Sequence, residues 1–160
     1  MCAMLTLTFK KISPAHHEFS YKREDGTGET ALLETETFLV HDFIHYCLET
    51  EARLKDSFYG KLAKGATYAA LNKLIEKEKE FTDEVFVTEV FAGALTGVVQ
   101  NNGSYEQLVA GVSNMLNARG LSLPVWCTED FYNRFKEQFR KVYGEWNGTP
   151  FGATMTLIFA

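Results

Sequence analysis

Residues 4–9 read MLTLTF and residues 155–160 read MTLIFA. In the first stretch Leu5, Leu7 and Phe9 alternate with Thr6, Thr8 and Lys10, and Thr154 to Phe159 alternates in the same way. A period of two places every second side chain on one face of a pleated strand. Two strands of similar length and pattern at opposite ends of a chain are expected to lie in one sheet. Working inward, His17, Phe19 and Tyr21 alternate with Glu18, Ser20 and Lys22, and a further alternation runs from Glu29 to Thr37. Asp25-Gly26 lies in the short loop between these two runs. It reads as a hairpin turn, because glycine tolerates the positive φ that such a turn needs.

From Phe38 the period changes to that of a helix, with Val40, Phe43, Ile44, Cys47, Leu48 and Leu54 on one stripe. Phe58-Tyr59-Gly60 links it to an amphipathic helix expected over Ala66 to Lys79, whose charge run EKEKE (Glu76 to Glu80) reads as a solvated face. The next helix starts on Thr82 as N-cap, with Asp83 and Glu84 in its first turn and Phe81 placed to staple onto Phe86. Its expected buried stripe is Val87, Val90, Phe91, Ala94, Leu95 and Val98. Gly93 and Gly97, four apart in that helix, predict close packing by another helix. After Asn101-Asn102-Gly103, Ser104 and Gln107 form a capping box, and Gly120 suits the stop. A last helix begins at Thr128, and its aromatics from Trp126 to Trp146 read as core. Strands at both ends with helices between argue α+β and not alternating βαβ. The expectation is a single α+β domain over 1–160: a small, mostly antiparallel sheet from the N-terminal strands plus the C-terminal strand, with about five helices packed on one face.

The 160 residues carry 16 Lys and Arg against 21 Asp and Glu, a net charge of −5. An acidic chain has no long-range pull on phosphate backbones, so nucleic acid is not expected as the partner. No run approaches the roughly 18 apolar residues of a membrane helix, so no membrane partner is expected either. Val85 to Val99 comes nearest, interrupted by Thr88, Glu89 and Thr96. Three cysteines without close spacing, Cys2, Cys47 and Cys127, exclude a CxxC redox pair and a complete disulfide framework. Reduced thiols in a cytoplasmic protein are the simplest reading, with Cys47 a buried, inert thiol.

Chemistry concentrates in His41-Asp42-Phe43-Ile44-His45, followed by Glu49. On a helix His41 and His45 lie one turn apart, roughly 6 Å along the axis. Two imidazoles at that spacing can grip one divalent ion, zinc being the first choice. Asp42 replaces the glutamate of a HExxH protease and is one carbon shorter, so no protease is inferred. Helical-wheel arithmetic puts His41 and His45 on the border of the apolar stripe and turns Glu49 and Asp42 away from the core. His41, His45 and Glu49 are therefore the candidate metal residues, with Glu49 as ligand or as orienter of His45. Asp42 and Glu49 are the candidate catalytic groups, Asp42 as a base for activating bound water. A third ligand must come from elsewhere, with Glu34, Glu36, His16 and His17 the candidates. The competing reading makes both histidines structural, hydrogen-bonded to a neighbouring strand.

HDFIHYCLE with FYGKLAKG shortly after, spanning roughly Thr37 to Gly65, resembles an uncharacterised bacterial family in which an HDxxHxxxE helix precedes an aromatic-Gly-xx-Ala-x-Gly stretch. That family has no assigned reaction, so the resemblance implies only that the cluster belongs together. HDxxH is also similar to the metal motif of a ubiquinone-biosynthesis family, in which a Glu follows after eleven residues; here that position is Ser57, beside Asp56. The His-Asp doublet is similar to that of the metal phosphohydrolases named for it, which are all-helical. Neither family is adopted. The function expected is a metal-binding protein, with metal-dependent hydrolysis as its reaction class if it is an enzyme. The alternative is a non-enzymatic binding protein using its aromatic-rich helices for an apolar ligand or for pairing with a second copy of itself.

Overall fold

The structure is a computed structural model that describes residues 3–160; Cys2 lies outside them. Four strands, β1 (Leu5–Lys11), β2 (His16–Arg23), β3 (Gly28–Glu34) and β4 (Thr154–Phe159), form one antiparallel sheet in the order β3-β2-β1-β4. The two ends of the chain pair directly, with Leu5 opposite Phe159 and Phe9 opposite Met155. Alternation sets the faces as expected. Leu5, Leu7, Phe9, Phe19, Tyr21, Met155, Leu157 and Phe159 are buried, while Thr6, Thr8 and Ser20 on the other face are only partly covered. Gly26 turns the β2–β3 hairpin with φ +86°, and its N–H donates to the Arg23 carbonyl.

Six α-helices occupy the middle of the described chain: α1 (Thr35–Glu51), α2 (Phe58–Ala63), α3 (Tyr68–Ile75), α4 (Asp83–Gln100), α5 (Tyr105–Ala118) and α6 (Glu129–Gly148). Helix α1 is the hub, packed against β3, α2, α4 and α6, while α5 packs on α4. The architecture is α+β, with the helices on the inner face of the sheet. Among the described residues no helix is long and apolar enough to cross a membrane.

Three boundaries differ from the sequence reading. Helix α1 begins at Thr35, not Phe38, since the chain leaves the sheet at Glu34 and Thr37 donates a hydroxyl hydrogen bond back to the Glu34 carboxylate. Phe58-Tyr59-Gly60, read as a linking segment, opens a short helix over Phe58–Ala63. The expected helix over Ala66 to Lys79 shortens to α3, capped by Thr67, and is followed by a 3₁₀ turn at Glu78–Glu80. Gly93 and Gly97 face open space and receive no neighbouring helix; the buried side of α4 is Val85, Phe86, Thr88, Val90, Phe91, Ala92 and Leu95.

The caps hold as predicted. Thr82 accepts from the Val85 N–H, Thr128 from the Phe131 N–H, and Ser104 with Gln107 closes a reciprocal capping box on α5. Ser104→Ala is expected to cost about 1 kcal/mol of stability, read as a lowered midpoint in urea. The aromatics of α6 are largely core: Phe131, Tyr132, Phe135 and Trp146 are buried, with Phe139 and Tyr143 stacking onward toward the surface.

Candidate metal centre

Because α1 is covered on several sides, it buries polar residues along with its apolar stripe. Asp42 and Glu49, expected to face away from the core, are 4% and 0% exposed. The wheel treats a helix as one-sided, and α2 closes over the side on which Glu49 lies. One Glu49 carboxylate oxygen accepts the Tyr59 N–H at 2.9 Å, and the Tyr59 hydroxyl donates to the Asp42 carbonyl at 2.9 Å.

His45 is 1% exposed and its two ring nitrogens have different surroundings. Nδ1 lies 3.1 Å from the second carboxylate oxygen of Glu49. Nε2 is buried without a hydrogen-bond partner and lies 3.5 Å from a carboxylate oxygen of Glu89 on α4. The His41 ring is tilted against the His45 ring with centroids 4.5 Å apart. One ligand atom from each of His41, His45 and Glu89 falls within 4.8 Å of the other two, so these three side chains could hold one metal ion. His41 is the exposed member, so the cluster opens to solvent on that side.

The two histidines thus converge, and among the described residues neither hydrogen-bonds to a strand carbonyl. The third member is Glu89, which the sequence reading passed over except as an interruption of the apolar run. Glu34 and Glu36 are exposed on the surface, and His16 and His17 belong to β2; among the described residues none of the four joins the cluster. Glu49 is likewise not among the three converging groups, and its contacts are those of an orienter of His45. Asp42 lies beside His41, with one carboxylate oxygen 3.8 Å from Nδ1 and the other buried and unpartnered.

The electrostatics follow from burial. Loss of water holds the His45 imidazole down at about 4, so the ring is neutral and able to offer a lone pair. Burial raises the Glu49 carboxyl well above the usual range, opposed by N–H groups at the start of α2. The Asp42 carboxylate beside His41 raises that imidazole, and burial raises Asp42 itself. When Glu49 is ionised it accepts from Nδ1–H of His45, which fixes the tautomer and leaves Nε2 free for an ion.

Ser57, the position that the ubiquinone-biosynthesis motif would fill with Glu, hydrogen-bonds the Thr88 hydroxyl at 2.6 Å and joins the start of α2 to α4 one residue before Glu89. It positions elements and is no part of the converging set. Comparison with protein-family models, with curated proteins and with solved structures finds no match for this chain.

Proposed function

We propose that this protein binds a divalent metal ion, zinc first, through His41, His45 and Glu89, and uses it for metal-assisted hydrolysis. The observation that supports this is the buried, unpartnered Nε2 of His45 directed at the Glu89 carboxylate beside His41. An orphaned polar atom in the interior costs about 1–3 kcal/mol, and an ion at this point would remove that cost. Two imidazoles and one carboxylate leave a fourth tetrahedral position open, the pattern of catalytic and not of closed structural zinc sites. An ion bound there supplies Lewis acidity and lowers the pKa of a coordinated water toward about 7.

The chain's own groups divide the remaining work. Glu49 orients His45, and Asp42 is placed to do the same for Nδ1 of His41. The enclosed position of Asp42 supports that positioning role over the role of base suggested by its place in the motif. Exposure of the cluster on the His41 side supplies the entry path. The buried thiols Cys47 and Cys127 are both raised by burial, which keeps them protonated and out of the ligand set.

Metal analysis of untagged protein tests the reading. We expect about one ion per chain in the wild type and none in His41→Ala/His45→Ala; equal content in the two would overturn it. Glu49→Gln tests the orienter role. An amide cannot accept from both the Tyr59 N–H and Nδ1–H, so either that backbone bond is lost or the amide N–H forces the proton of His45 onto Nε2. Zinc affinity is expected to fall about 10–100-fold in a competition titration, the size of effect that outer partners of metal ligands produce. Affinity within a factor of two of wild type would remove Glu49 from the site.

A further inference from the structure

The sheet has two margins, and the chain treats them differently. At the β3 margin Glu29 lies on the inner face opposite Tyr21, whose hydroxyl donates to it, and it also accepts the Tyr68 N–H at 2.8 Å. Glu34 charges the other end of the same strand. Inward and edge charges are devices that keep a strand from pairing with another chain. The β4 margin has none of them: Thr154–Phe159 reads TMTLIF, without charge, proline or glycine. Among the described residues β4 pairs only with β1. The phase of that ladder is set at its start, where the Lys11 N–H donates to the Ala153 carbonyl and the Lys11 carbonyl accepts the Gly152 N–H. Met155, Leu157 and Phe159 therefore exchange bonds with β1, and the main-chain groups of Thr154, Thr156 and Ile158 are directed away from it. In keeping with this phase, the Ile158 carbonyl accepts the Tyr46 hydroxyl at 2.9 Å.

We propose that β4 pairs antiparallel with β4 of a second copy of this chain, about a two-fold axis through Thr156, joining two four-stranded sheets into one. Thr156 then faces the partner's Thr156, and Thr154 faces the partner's Ile158. This register keeps Met155, Leu157 and Phe159 on the buried side in both copies and links the outward groups by about six main-chain hydrogen bonds. The Ile158 carbonyl has a second lone pair for its share. The pairing stops there, because Lys55 already meets the Ala160 carbonyl. The outer face argues for a second copy as the occupant. Thr30, Ser20, Thr8 and Thr156 lie opposite one another across the four strands, and this hydroxyl row runs out at the open edge. A two-fold axis through Thr156 continues it into the same row of the second copy, and Thr–Thr pairs across strands are favourable. Charge does not oppose the contact. Along the outer rows the nearest facing charges are Lys10 and the partner's Lys22, four strand spacings or about 19 Å apart, well beyond a screening length of about 8 Å. Ile158, 49% exposed, gains cover in the pair.

Edge pairing of one short strand is a small contact, so association is expected roughly between 10 μM and 1 mM. Sedimentation of the full-length protein over that range tests it, in EDTA so that no metal ion can bridge two copies. The mass should rise with concentration from 18.1 kDa toward twice that value. Thr156 is exposed, so Thr156→Lys and Thr156→Glu leave the core intact while setting like charges opposite each other on the axis. Each variant alone should stay at 18.1 kDa, and an equimolar mixture of the two should regain the doubled mass. Leu32→Lys, at a 64% exposed position on β3, should associate as wild type does. A wild type that remains at 18.1 kDa throughout would overturn the proposal. So would a Thr156→Lys protein that still associates, a mixture that fails to restore the pair, or a loss of association in Leu32→Lys, which would place the contact elsewhere on the sheet.

Discussion

Zinc added in excess to the metal-free protein is expected to raise its thermal midpoint by about 8–16 °C, and Glu89→Ala is expected to remove most of that rise. A ligand that binds only the folded state stabilises by about 4 kcal/mol at a thousand times its dissociation constant. In a chain of this size each kcal/mol moves the midpoint by about 2–4 °C. Glu89 is the natural position at which to break the site, because its side chain is partly exposed on α4 and not locked into the core. Alanine is a better helix former than glutamate, so the metal-free variant should melt within a few degrees of wild type. The same change at His45 would confuse metal loss with damage to a fully buried contact. Protons compete with the ion for His41, whose imidazole Asp42 raises, so the zinc-induced rise should shrink as the pH falls below neutral. Differential scanning calorimetry with and without zinc, at pH 7.5 and 5.5, reads both effects. A wild-type protein indifferent to zinc, or a Glu89→Ala protein stabilised as fully as wild type, would refute the ligand set.

The contrast between His45 and Glu89 shows how much of this site could be read from sequence. Spacing along one helix is local information: His41 and His45 are one turn apart wherever α1 packs, and their convergence was legible. Glu89 is forty-four residues further on, and only the docking of α4 on α1 brings it to Nε2 of His45. A trace was present nonetheless. Thr88 and Glu89 break the longest apolar run in the chain, and a polar pair in such a run needs partners; Thr88 finds Ser57 and Glu89 finds His45. Asp42 and Glu49 were misplaced for a related reason. The arithmetic that assigned them to solvent holds for a helix lying on a surface, whereas α1 is enclosed by β3, α2, α4 and α6. The sheet was the most legible part, because alternation in Leu5 to Phe9 and Met155 to Phe159 fixes which side chains face inward, and the register follows once those faces must match. The start of α1 was the least legible: Thr35, Glu36 and Thr37 continue the alternation of β3, and nothing in their chemistry marks the point at which the chain leaves the sheet.

His17→Leu is expected to flatten the acid dependence of stability. His17 is on the inner face of β2, fully buried, with Nδ1 3.0 Å from the Thr35 hydroxyl and Nε2 without a partner. Its ring packs near Phe9 and against the edge of Trp146, an environment that cannot solvate a cation. Burial, with the neighbouring His16, holds the imidazole down at about 4. In the unfolded chain it titrates near 6.5. The folded state therefore binds this proton more weakly than the unfolded state does. The neutral ring's full contribution is present above pH 6.5 and is lost as the pH falls through 6.5 toward 4. At about 1.4 kcal/mol per pH unit, His17 alone should remove about 2–3 kcal/mol of stability between pH 7.5 and 4.5. Leucine fills similar space, has no orphaned nitrogen and cannot take up the proton, so the variant loses only what the other groups lose. Urea unfolding of both proteins in EDTA, which takes the metal cluster out of the comparison, isolates the difference. The stability of His17→Leu relative to wild type should improve by about 2–3 kcal/mol on going from pH 7.5 to 4.5, and a constant difference would show that the ring takes up its proton in the folded state without penalty.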